Sequence, residues 1–118
     1  MTSEKTPQKL VDGALRRALA NGTVIADGAM GTMLQAADPS LEDFQGLEGC
    51  NEILNVTRPD LVRSVHDKYL SVGVDAIETN TFGANWANLA EYDIEDRIYE
   101  LAFAGGKIAR EAADAAST

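Results

Sequence analysis

Apolar residues at Val11, Leu15, Ala18 and Leu19 recur at helical spacing, with Arg16 and Arg17 toward the end and Asn21-Gly22 behind them. This predicts a short amphipathic helix with favourable C-terminal charge and a glycine stop. The pattern then changes. Val24-Ile25-Ala26 is a short run with β-branched residues that breaks into Asp27-Gly28-Ala29-Met30-Gly31-Thr32, which reads as a buried strand delivering one carboxylate to a tight turn. From Met33 to Asn55 the periodicity fails, and glycines, Pro39 and scattered acids predict a long loop with room for one helical turn. Thr57-Arg58-Pro59-Asp60 has the form of a capping box, with Leu61, Val65, Tyr69 and Val72 on one face of the helix it opens and Gly73 closing it. Val74 to Phe82 predicts a second strand. Trp86 and Leu89 suggest a short helix, and Ile94, Ile98, Leu101, Ile108 and Ala112 a long one in which Gly105 and Gly106 allow close packing. Residues 1–7, polar and ending in Pro7, predict a flexible leader.

Strand, helix and strand without a hairpin signal imply a crossover connection and a parallel pair, hence an α/β fold. Two parallel strands cannot cover their own edges, so the expected architecture is the N-terminal fragment of a TIM-type (β/α)8 barrel, about two parallel strands with flanking helices. A closed barrel of this kind takes about 250 residues, and the chain has 118. Residues 8–118 would then be a truncated domain lacking its later strands, with open sheet edges available for self-association.

Composition narrows the partners. A formal net charge of −9 argues against nucleic acid and against an anionic membrane, both of which select basic surfaces. No apolar run approaches the roughly 20 residues of a spanning helix, and the N-terminus lacks a basic-then-apolar signal, so the expected location is cytoplasmic. With one cysteine, neither an internal disulfide nor a site of several thiolates can be built from this chain.

Asp27 is the lead candidate for chemistry. Gly28 and Gly31 would allow positive φ and leave backbone N–H groups free for an anion. A carboxylate beside such donors suits a small zwitterion such as an amino acid, although an aspartate that only caps its turn has the same local sequence. Glu78, a carboxylate inside an apolar segment, is a secondary candidate on the substrate side or in the scaffold. Cys50 reads as structural. His66 falls mid-helix, facing solvent or packing at the helix surface, and Trp86 and Tyr92 read as packing residues.

Three segments, Ala26 to Thr32, Cys50-Asn51-Glu52-Ile53-Leu54-Asn55 with Arg58-Pro59-Asp60, and Glu78-Thr79-Asn80-Thr81-Phe82, occur in an order and at a spacing that resemble the N-terminal homocysteine-binding module of the cobalamin-dependent methionine synthases. The resemblance runs from about Leu15 to Ala113. It implies a homocysteine-binding barrel domain in which Asp27 contacts the substrate ammonium. The backbone at Gly28 and Ala29 would lie near its carboxylate, and Thr79, Asn80 and Thr81 would line the mouth. It further implies a methyltransferase that passes a methyl group from methyltetrahydrofolate through cobalamin to homocysteine, with folate and cobalamin modules as partners in the parent chain. A zinc ion would hold the substrate sulfur through three cysteines of later strands, so no metal ligand and no complete catalytic set is expected here, and this segment alone should be inactive. Two alternatives stay open: a cobalamin-independent homocysteine methyltransferase using betaine or S-methylmethionine, and a non-catalytic binding or oligomerising product.

Overall fold

The computed structural model describes residues 13–117; the expected leader and Val11 lie outside them. Helix α1 covers residues 13–21. It is followed by α2 (Gly31–Ala36), α3 (Leu54–Thr57), α4 (Pro59–Ser71), α5 (Trp86–Ala90) and α6 (Ile98–Ala116). Single 3₁₀ turns, Asn51–Ile53 and Glu95–Arg97, lead into α3 and α6.

The expected pair of parallel strands is not formed, and the α/β barrel-fragment reading is corrected accordingly: among the described residues the two extended segments meet at one parallel bridge, Ala26 with Ala76. The reason lies in the acids that flank the bridge. Backbone bonds run from Asp27 N to Ala76 O (3.0 Å) and from Ala76 N to Ile25 O (3.2 Å). One step further along, Glu78 N donates to both Asp27 carboxylate oxygens at 3.2 Å. At the other end Ile25 N donates to Asp75 Oδ2 at 3.0 Å. Aspartate side chains thus take the donors that a continuing ladder would need, a known competition between short polar side chains and regular structure. Ile25, expected inside, is 57% exposed and Phe82 fully so.

The interior is built by helices instead. Leu34 of α2, Leu54 of α3, Val62 and Val65 of α4 and Ile108 of α6 form one buried cluster; Cys50, Ile53, Leu89 and Leu101 form another. Helix α4 has proline at its first position, where no N–H is needed. Its N-cap is Arg58 with no side-chain cap bond, because Thr57 closes α3 and turns its hydroxyl back to Ile53 O. The fully buried residues of α4 are Val62, Val65 and His66; of the expected stripe, Leu61 and Tyr69 also pack on the core, half-buried, and Val72 stays exposed. The turn after α4 is made by Gly73 at φ 92°, a conformation glycine adopts without a Cβ penalty.

His66 is accordingly a core residue, not a surface one. It is fully buried, and neither ring nitrogen has a partner among the described residues. Burial lowers its pKa from the ordinary value of 6.5, against an opposing pull from Asp27, so the imidazole is held in its neutral form.

Candidate functional site

The turn after the bridge and the segment 78–82 face one another across an open cleft of about 660 Å³. Asp27, Gly28, Ala29, Glu78, Thr79 and Asn80 all line it, so six of the seven residues singled out from the sequence come together. Thr81 does not line the cleft. Its hydroxyl pairs with that of Thr79 at 2.6 Å.

Asp27 is half-buried at the cleft wall, its carboxylate oriented by the Glu78 N–H. The following N–H groups, those of Gly28 and Ala29, have no acceptor among the described residues. Neither Gly28 nor Gly31 has positive φ; what requires a glycine there is close approach. A Cβ on Gly28 would lie 3.0 Å from the Tyr69 hydroxyl, and one on Gly31 would lie 3.3 Å from Asn51 Nδ2. The Tyr69 hydroxyl donates to Ala29 O at 2.9 Å, tying the turn to α4.

Behind the cleft stands a polar scaffold. Asn55, 2% exposed, donates from Nδ2 to Asn80 O (2.8 Å) and Leu101 O (3.1 Å) and accepts from Asn80 Nδ2 at 3.0 Å. Asn80 Nδ2 also donates to Asn51 O at 3.0 Å. Both hydrogens of the Asn80 amide are therefore committed, and the residue supports the cleft wall through its side chain. Glu52 is buried and accepts from Gly83 N through Oε2 at 2.8 Å, while Asn88 Nδ2 holds Gly83 O at 2.9 Å. Gly83 leaves no room for a side chain, since a Cβ would lie 2.5 Å from Asn88 Nδ2 and 2.8 Å from Glu52 Oε2.

Sequence reasoning missed Asn51, Glu52 and Tyr69 as builders of the site. The first two lie in the Cys50-to-Asn55 segment, whose polar residues inside an apolar stretch were the available signal. Tyr69 gave none, because an aromatic residue on a helix face is ordinarily packing. Cys50 is fully buried, and loss of solvation pushes its thiol pKa up, which removes thiolate reactivity.

The electrostatics are one-sided. Asp27, Glu52 and Glu78 line the cleft, and no Lys, Arg or His does. A ligand presenting a cation to these acids and an anion to the free N–H groups matches both halves. A second groove, of about 620 Å³, runs between residues 70–79 and the C-terminal half of α6. It pairs one acid, Asp75, with one base, Arg110, which is itself bonded to Asp114, and so lacks the one-signed lining and the free turn amides of the first cleft. Among the described residues no group of three or more His, Cys, Asp or Glu is placed to hold a metal ion, and no helix is long and apolar enough to cross a membrane.

Residues 24–118 match the family model described as homocysteine S-methyltransferase. The chain is 56% identical over 105 residues to a protein named methionine synthase from Mycobacterium tuberculosis, covering 89% of this chain and 9% of that relative. It is 51% identical over 111 residues to the methionine synthase of Mycobacterium leprae, covering 94% of this chain and again 9% of the relative. The chain thus spans about a tenth of the length of these curated relatives.

Proposed function

The chain belongs to the homocysteine S-methyltransferase family, and from that premise we propose that it supplies the N-terminal part of the homocysteine-binding region of a methionine synthase. One observation supports this most: the acidic cleft that sets Asp27 beside the unpaired N–H groups of Gly28 and Ala29. In this reading the Asp27 carboxylate takes the homocysteine ammonium, and the Gly28 and Ala29 amides donate to its carboxylate. Glu78 adds negative potential on the ammonium side. Thr79, its hydroxyl held from behind by that of Thr81, and Asn80, held by Asn51 and Asn55, form the opposite wall. Fixing both charged groups of an amino acid leaves its thiol one direction to point, which is the orientational part of catalysis.

In the whole enzyme the methyl group would come from methyltetrahydrofolate by way of cobalamin. The homocysteine thiol would give up its proton, and its sulfur would take the methyl carbon as the bond from that carbon to its carrier breaks and the electron pair stays with the carrier, giving methionine. The folate and cobalamin modules of the parent chain would be the partners. Zinc finds no fit in the residues described here: the one cysteine is fully buried with its pKa raised, and the one histidine is enclosed in the core. This chain alone is therefore expected to bind without turnover.

Calorimetric titration with L-homocysteine tests the reading. The chain should bind saturably, equally well with and without zinc, and Asp27→Asn should weaken binding by about 10- to 100-fold, the value of one charge-assisted hydrogen bond. Unchanged affinity in Asp27→Asn would remove Asp27 from the site.

A further inference from the structure

We propose that Tyr69 is a positioning residue for the carboxylate half of the cleft, an assignment that rests on the amino-acid-binding reading above. Its hydroxyl makes the bond to Ala29 O (2.9 Å) and comes within 3.0 Å of where a Gly28 Cβ would stand. Tyr69 is half-buried, packed on the cluster formed by Leu34, Leu54, Val62, Val65 and Ile108, so its ring has a fixed base. The Ala29–Met30 peptide is not cis. With the Ala29 carbonyl anchored toward α4, peptide planarity turns the Met30 N–H the opposite way. Met30 and Ala29 both line the cleft. One phenol on α4 thereby sets the plane of the Ala29–Met30 peptide and aims the Met30 N–H, which has no acceptor among the described residues, to join those of Gly28 and Ala29 as a third donor to the ligand's carboxylate; a side chain at residue 28 would crowd the phenol.

A structural tyrosine and a positioning one differ in which ligands they affect. Two ligands separate them: L-homocysteine, and 3-aminopropane-1-thiol, which has the same ammonium and thiol but no carboxylate. Tyr69→Phe keeps the ring and removes the hydroxyl. It should weaken homocysteine binding about 5- to 10-fold, the scale of one neutral hydrogen bond, and leave the aminothiol's affinity unchanged. Equal weakening of both ligands, or of neither, overturns the assignment. A ligand-free measurement stands apart from the homocysteine reading. In NMR spectra of the same variant the Met30 amide should shift and exchange faster, while the Asp27 amide, bonded to Ala76 O, stays as it was. A Met30 amide that does not move overturns the role of Tyr69 even if homocysteine binds; a wild-type chain that binds neither ligand overturns the amino-acid reading instead.

Discussion

Replacing Asn55 with leucine is expected to lower the stability of the chain by about 3–4 kcal/mol. Leucine has the same branched side-chain skeleton but a larger volume, so the loss would come from broken hydrogen bonds and crowding and not from a cavity. Asn55 donates twice and accepts once in a place 2% open to solvent. Leucine would leave the Asn80 carbonyl and one Asn80 N–H without partners, each buried orphan costing about 1–3 kcal/mol. Because Asn80 lines the cleft and Leu101 belongs to α6, the same change uncouples the candidate site from the helix behind it. Urea denaturation followed by circular dichroism reads the effect directly. A midpoint within error of wild type would show that the network through Asn55 does not hold the fold.

The adjacent glycines of α6 should respond to alanine with opposite signs. At Gly105 a Cβ would lie 2.8 Å from both Asn55 Nδ2 and Thr81 Cγ2, and 3.2 Å from the Asn80 carbonyl. Asn55 cannot yield without breaking its own bonds, so Gly105→Ala should cost about 1–3 kcal/mol, as overpacked cores do, despite alanine's better helix propensity. At Gly106 nothing stands within 4 Å of the added carbon, and Gly106→Ala should gain up to about 1 kcal/mol from propensity alone. Thermal midpoints of the two variants decide it. Two shifts of the same sign would mean that α6 does not press against the Asn55 network as described.

Close packing was expected at both Gly105 and Gly106, because a glycine inside a strong helical pattern needs a reason, and it holds at Gly105 but not at Gly106. The reason itself was not legible, since Asn55, Asn80 and Thr81 are distant in sequence. Helices were the readable part of the fold: Trp86–Ala90 and Ile98–Ala116 follow from apolar period and length. On α4 the expected stripe holds at Leu61, Val65 and Tyr69, which pack on the core, and fails at Val72, while the burial of Val62 and His66 beside it could not be read from spacing alone. Only tertiary contacts decide which are covered. The two strands failed for a local reason, as the carboxylates of Asp27 and Asp75 compete for ladder donors in a way that β-propensity does not register. Thr57 likewise had a better use at the end of α3 than at the start of α4. For the site, the contents of the turn and of the segment 78–80 could be read from residue type. Their support by Tyr69, Glu52 and Asn51 could not, because each reaches the cleft from an element whose placement depends on the whole fold.

The most direct test of the central claim, that the Asp27 cleft holds homocysteine, is a map of backbone amide shifts in the isotopically labelled chain as L-homocysteine is added. Saturable shifts are expected at Gly28, Ala29 and Met30 and across Glu78 to Asn80, with Gly106 to Ala113 of the second groove unmoved. Shifts centred on that groove, or none at concentrations that saturate the methionine synthase relatives, would contradict that claim.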